Sequence, residues 1–222
     1  MEKPILFNTE MVQAILEGRK TQTRRIIKNK YENADIQWFR NKYGTRLVYM
    51  ENDVEEPIKN PDGTTSHKLR AMEEIKEPYE IGDILYVRET WMIQSMKNFD
   101  KKVKFLYKAE PNKELNEVSL TSERYEDLIK YFCKNGWQPS LFMPKTAARI
   151  FLKVVGVRAE KLQALDYEEA IREGIKAGYD GWTSVFKDLW DSTVNKKDID
   201  MYGWNSNPWV WVIEFEKLKS AN

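Results

Sequence analysis

Residues Gly18 to Arg25 read Gly-Arg-Lys-Thr-Gln-Thr-Arg-Arg, which puts three arginines, one lysine and two threonine hydroxyls directly after a short apolar-faced segment. Burying several cationic heads without partners would cost several kcal/mol per ion. The stretch therefore has to meet solvent, an anion or a site. From Arg19 to Lys30 six of twelve residues are basic and none is acidic, although the whole chain carries 36 basic and 35 acidic side chains. The positive charge is thus local. A formal net charge of +1 argues against coating nucleic acid by bulk electrostatics and fits one basic mouth that attracts a phosphate or a carboxylate. The plainer reading is a solvated surface run, against which the interleaved glycine and threonines weigh.

A chain of 222 residues with 41% hydrophobic side chains and 8 Trp, 11 Tyr and 9 Phe has the material for one sizeable core. No stretch approaches the roughly 18 uninterrupted apolar residues of a membrane span. The opening Met-Glu-Lys-Pro-Ile-Leu-Phe lacks an extended signal-peptide segment. A cytoplasmic protein with no membrane association is expected. One cysteine, Cys133, makes no intramolecular disulfide, and one histidine, His67, builds no His-rich metal site. Neither a metal nor another cofactor is expected, and Ser/His and Cys/His triads lose their base. His67 falls in a turn-rich loop, and Cys133 reads as a small buried hydrophobe.

Met11, Val12, Ile15 and Leu16 recur at helical spacing between Glu10 and Glu17, with Thr9 as the N-cap and Gly18 as the stop. Residues 28–79 are polar, carry the turn signal Asn60-Pro61-Asp62-Gly63, and hold too little periodic apolar content to fold alone. Ile84 to Val87 reads as a buried strand running into Arg88-Glu89-Thr90-Trp91. A second polar excursion, residues 94–138, holds a strand at Val103 to Tyr107 and a helix near Ser122 to Cys133. A strand follows from Ala148 to Val157. Asp166 caps a short helix that closes at Gly174, and Val185, Phe186, Leu189 and Trp190 mark another. In the last run Trp209, Trp211, Ile213 and Phe215 share one strand face, which core packing explains better than base stacking. The order of elements predicts one mixed α+β domain over residues 1–222, a small twisted or closed sheet with peripheral helices.

The chain resembles the ASCH family, a branch of the PUA-like superfamily. Gly18, Lys20, Thr23 and Arg25 fill every fixed place of its Gly-x-Lys-x-x-Thr-x-Arg motif. Further likeness lies in Pro4-Ile5-Leu6-Phe7, in Gly82 to Trp91, in Met143-Pro144-Lys145, in Glu173-Gly174, in Phe186 to Ser192 and in Asn207 to Val212. Together these resemble the larger, phage-associated subgroup. The resemblance implies a PUA-like mixed β-barrel with a cleft, peripheral helices and two polar insertions, at about 28–79 and 94–138. It also implies RNA, a nucleotide or a modified nucleoside as partner. Some small members deacylate N4-acetylcytidine, others are associated with RNA cleavage, and phage-associated ones are labelled morphogenetic, which implies a protein partner instead.

In the amidohydrolase pattern Thr23 attacks the amide carbonyl and Lys20 takes its proton. Glu173 holds the lysine or passes the proton to the departing amine. Lys20 has to be neutral for this. Free lysine titrates at about 10.4, so its environment must supply roughly 4 kcal/mol. Arg19, Arg24, Arg25 and burial all push that way, and a close Glu173 opposes them. Arg25 is the expected anion or carbonyl anchor, because a guanidinium offers a rigid fork of donors. Gly18, Arg24, Glu89 and Trp91 complete the expected substrate-binding set: Glu89 as an acceptor for a cytosine amine, Trp91 or Trp182 as a stacking ring. A helical segment would put Lys20, Thr23 and Arg24 on one face, and an extended one Thr21, Thr23 and Arg25. The alternatives to an amidohydrolase or ribonuclease are a non-catalytic RNA or modified-base binding module and a protein-interaction role.

Overall fold

The computed structural model describes the chain apart from residues 32–33, 43, 53–57, 60, 63–64, 67–68, 111, 113–116, 135 and 220–222. Strand β1 (Glu2–Leu6) leads through Phe7 into helix α1 (Thr9–Leu16). Asn8, not Thr9, caps the helix: its Oδ1 accepts the Met11 N–H at 2.9 Å, so the helix starts one residue ahead of the expected Glu10. Val12, Ala14 and Ile15 form its buried face. Gly18 ends the turn at φ +78°, a left-handed conformation that glycine adopts without steric cost. The chain then enters β2 (Gln22–Ile26).

Residues of the first polar excursion build a sheet. β3 (Ala34–Asn41) and β4 (Gly44–Asn52) pair antiparallel, a small hairpin of β5 (Ile58–Lys59) and β6 (Thr65–Ser66) follows, and β7 (Leu69–Glu74) returns beside β4. Pro61 and Asp62 stand in a turn, whereas Asn60 and Gly63 of the same signal, and His67, lie outside the described residues. β8 (Ile84–Arg88) is followed by β9 (Trp91–Lys97), β10 (Lys102–Tyr107) and β11 (Val118–Ser119), the last three forming an antiparallel sheet, and by helix α2 (Ser122–Phe132). α2 buries Tyr125 and Leu128 with Trp91 and Phe105. Cys133 is exposed rather than buried, since five residues past Leu128 it lies roughly 140° round the helix from the face that packs.

β12 (Phe151–Lys161) begins three residues later than Ala148, because Lys145–Ala147 forms a 3-10 turn closed by the Ala148 N–H on Lys145 O at 2.9 Å. Three helices, α3 (Tyr167–Arg172), α4 (Trp182–Thr193) and α5 (Ile199–Tyr202), precede the last strand, β13 (Trp209–Lys217). The main sheet runs β1-β8-β12-β13-β2, parallel only between β1 and β8. No described helix is long and apolar enough to cross a membrane. The molecule is mixed α+β, mostly sheet with several short helices.

β13 is buried on both faces. Trp211, Ile213 and Phe215 join Ile5, Phe7, Leu85 and Leu152 in one core, as their alternation predicts. Val210 and Val212 point the other way, into a second core with Leu162, Phe186 and Trp190. Leu47 of β4 belongs to the first core, with Ile36 and Ile75 packed against it. The first excursion thus roofs the main sheet and gains from that sheet the apolar partners it lacks by itself.

The sheet's outer strands, β1 and β2, share no backbone ladder, yet Arg25 Nη2 on β2 donates to Leu6 O of β1 at 2.7 Å. The two edges therefore lie within one side chain's reach. If the excursion is part of the core, Leu47→Ala and Leu152→Ala should each cost about 2–5 kcal/mol in one shared unfolding transition, read by urea denaturation. A separate transition for Leu47→Ala would contradict this packing.

Candidate functional site

The turn after α1 is held by its own backbone. The N–H groups of Arg19 and Lys20 both donate to Ala14 O, at 2.9 and 3.1 Å, and Thr21 N–H donates to Arg172 O at 2.9 Å. Lys20 is thereby carried to the end of α3. That helix starts where the sequence predicts, with Asp166 Oδ1 accepting the Glu169 N–H at 2.8 Å, and ends on Glu173 as its C-cap. Gly174 follows at φ +97°, where an added Cβ would come 2.9 Å from Ala14 Cβ and 3.1 Å from Lys20 Cβ. Glycine here permits both the left-handed turn and the close approach of Lys20.

The segment after Lys20 is extended, so Thr23 and Arg25 share a strand face and Arg24 takes the other. The cationic run is only partly a solvated surface: Lys28 and Lys30 are exposed, Arg19 and Arg25 half-buried, and Lys20 and Arg24 buried. Lys20 and Arg24 are each 4% exposed and find internal anions. Lys20 Nζ donates to Glu173 Oε2 at 2.9 Å and to the Glu173 carbonyl at 2.7 Å. Arg24 gives Nη1 to Glu173 Oε1 at 3.0 Å and Nη2 to Glu160 Oε1 at 2.6 Å and Glu169 Oε2 at 2.7 Å. Arg158 extends the network to Glu160, Glu169 and Glu214. Charge-assisted bonds of this kind replace the lost hydration.

Burial is the largest influence on Lys20 and lowers the pKa of its ammonium below the ordinary 10.5; Glu173 opposes the shift, and Arg25 and Arg24 assist it. A neutral lysine amine has two N–H bonds, and both have acceptors on Glu173. Its lone pair is then directed away from that carboxylate. Lys20, Thr23, Arg24, Arg25 and Glu173 line one cavity of about 150 Å³, walled on its apolar side by Leu6, Phe7, Met11, Phe186, Leu189 and Trp190. The Thr23 hydroxyl has no hydrogen bond from a described residue. Arg25 lies over the Phe7 ring at 5.3 Å, and burial lowers its pKa from the usual value. Among the described residues it has no carboxylate partner.

Of the expected site residues, the structure brings Lys20, Thr23, Arg24, Arg25 and Glu173 together. Gly18 shapes the turn without lining the cavity. Glu89 and Trp91 lie apart from it. Glu89 is paired with Arg149 through Oε1–Nε at 2.9 Å and Oε2–Nη2 at 3.1 Å, and burial raises its pKa against the pull of that arginine. Trp91 is 0% exposed in the core under α2, so its ring offers no free face for stacking. Trp182 is half-buried against the second core. Sequence reasoning missed Glu160, Glu169 and Arg158. The Arg158-x-Glu160 alternation on one strand face and the third position of the Asp166 cap were the available signals. Among the described residues, no cluster of histidine, cysteine, aspartate and glutamate is arranged to hold a metal ion.

Comparison of the chain with models of protein families, with curated proteins and with solved structures finds no match.

Gly174→Ala is expected to destabilise the fold by about 1–3 kcal/mol, measured by chemical denaturation. A second expectation concerns pH. Unfolded Lys20 keeps its proton up to about pH 10.4, while folded Lys20 releases it at lower pH. The unfolded state therefore holds more protons in that window, and stability rises with pH through it. The stability of the wild type relative to Lys20→Met should accordingly increase as pH rises from the lowered folded pKa toward about 10.4. A flat difference would show that Lys20 stays charged in the fold.

Proposed function

We propose that the chain is an ASCH-type, PUA-like protein that binds RNA or modified nucleosides in the cytoplasm and deacylates N4-acylcytidine-like substrates. The observation that carries this reading is the meeting of Lys20, Thr23 and Glu173 at one cavity, with the lysine's pKa lowered by burial. The bridge from Arg25 to Leu6 between the outer strands supports a barrel-like closure of the sheet, with the cavity at its seam.

In this mechanism the Thr23 hydroxyl attacks the amide carbonyl while neutral Lys20 accepts its proton. Glu173 holds both N–H bonds of the amine, which aims the lone pair at the cavity. Arg25 donates to the carbonyl oxygen as negative charge develops on it. The Lys20 ammonium then returns the proton to the departing cytosine amine, and the C–N bond breaks to leave a threonine ester. Water, deprotonated by Lys20, cleaves that ester and frees the carboxylic acid and the hydroxyl. A non-catalytic binding module is the second reading. It draws on the same Arg25, which lacks a carboxylate partner among the described residues, but finds no stacking face in Trp91.

The test is a mass-spectrometric assay of purified protein against N4-acylated cytidine nucleosides and modified RNA. Wild type is expected to release the acyl group. Lys20→Ala should lose about 10²–10⁴-fold in rate, and Thr23→Ala should fall to background. The wild-type rate should rise with pH until Lys20 is deprotonated, at a pKa below 10.5. Failure of wild type to turn over any of these substrates would refute the hydrolase.

A further inference from the structure

We propose that Arg158, which does not line the cavity, is a positioning residue for Lys20. It fixes Glu160 and Glu169, these two fix Arg24, and Arg24 draws off one oxygen of Glu173 so that Lys20 meets only the other. This rests on the reading above for Lys20 as the proton acceptor, while the geometry stands apart from the identity of the substrate.

The contacts form a chain in which each of three carboxylates bridges two cations. Glu173 accepts from Lys20 on Oε2 at 2.9 Å and from Arg24 Nη1 on Oε1 at 3.0 Å. Glu160 accepts from Arg24 Nη2 on Oε1 at 2.6 Å and from Arg158 Nε on Oε2 at 3.0 Å. Glu169 accepts from the same Arg24 Nη2 on Oε2 at 2.7 Å and from Arg158 Nη2 on Oε1. The remaining Arg158 nitrogen, Nη1, donates to Glu214. A Cβ on Gly156 would come 2.7 Å from Oε2 of that glutamate, so glycine there leaves room for the acid that ends the chain. Arg172 reaches Glu169 only at 3.8 Å from an exposed position, which makes Arg158 the close counter-charge on the outer side.

Arg158 acts through what it restrains. Two carboxylates converge on Arg24 Nη2, and like charges so placed repel. Arg158 offsets that repulsion by holding the other oxygen of each. Without it their charge falls on Arg24 alone, which is pulled away from Glu173, and the Glu173 carboxylate is then left to Lys20. Both changes favour the ammonium. The arginines keep their protons throughout, so the disturbance is answered at Lys20, whose charge burial already disfavours. Removing the charge of Glu160 acts in the opposite sense, because Arg24 then leans on Glu173. Glu160, Glu169 and Glu214 do not line the cavity either, so a change in this outer group reaches a ligand only through Arg24, Glu173 and Lys20. The Arg158 side chain is 37% exposed, and replacing it leaves no sealed void.

Protonation of Lys20 itself, followed against pH by nuclear magnetic resonance of protein isotope-labelled at lysine, tests this, with Lys20→Met assigning the signal. Arg158→Gln is expected to move the Lys20 midpoint up, Glu160→Gln to move it down, and the double variant to return toward the wild type. Arg158→Lys should recover part of the change, since it restores the charge but not the fork of donors. In the acylcytidine assay the pH profile of Arg158→Gln should move up with Lys20. Its rate below the midpoint should fall on the order of tenfold for each unit moved, with KM unchanged. An unmoved midpoint in Arg158→Gln, or shifts of the same sign in Arg158→Gln and Glu160→Gln, overturns the inference, because a merely structural contact does not respond to the sign of the charge removed. Opposed shifts of Lys20 without turnover keep this inference and remove the hydrolase, whereas turnover with Lys20 unmoved by either variant does the reverse.

Discussion

Glu173 gives one carboxylate oxygen to Lys20 and the other to Arg24, and without it two cations from one short segment would be buried with no shared counter-charge. Glu160 and Glu169 both accept from the second Arg24 amino nitrogen, Nη2. Such pairs add little net stability, because desolvation offsets most of the attraction, but removing one partner leaves a stranded charge and costs several kcal/mol. The network therefore fixes position more than it stabilises the fold. It ties β2, β12 and α3 together and holds Lys20, Arg24 and Glu173 at the cavity wall.

The cavity lies along β2, beside β13, a strand buried on both faces. One face of the strand packs against the core roofed by the first excursion, and the other against α4. Its neighbour β2 pairs with β13 alone and ends the ladder as an edge. At that edge residues of both faces, Thr23 and Arg25 on one and Arg24 on the other, reach the same space. The cavity is thus a property of an unpaired strand edge closed by side chains rather than by a ladder.

Much of the main sheet was legible, because its strands are apolar runs with turn residues at their ends. Ile84 to Val87 and Trp209 to Phe215 fall where alternation and burial place them. The excursion sheet was not, since its apolar residues are sparse and pack against a partner distant in sequence. Within the site, Lys20, Thr23, Arg25 and Glu173 came from motif resemblance, while the burial of Lys20 and Arg24 could not be read. Their counter-charges arrive from residues 160, 169 and 173, and no local pattern links Lys20 to a carboxylate 153 positions away. Glu89 misled for a related reason: an acid at a strand end reads alike whether it faces a ligand or an arginine, and Arg149 decides the matter.

That sequence separation has a consequence for the chain during its synthesis. The stretch from Arg19 to Lys30 leaves the ribosome before Glu160, Glu169 and Glu173 have been made, and β1 likewise waits for its parallel neighbour β8. Until they arrive, the nascent N-terminal segment is a naked polycation with access to any polyanion nearby. Folding then buries Lys20 and Arg24 and half-buries Arg19 and Arg25, so the exposure of that charge is greatest in the unfinished chain and is withdrawn as the C-terminal half docks.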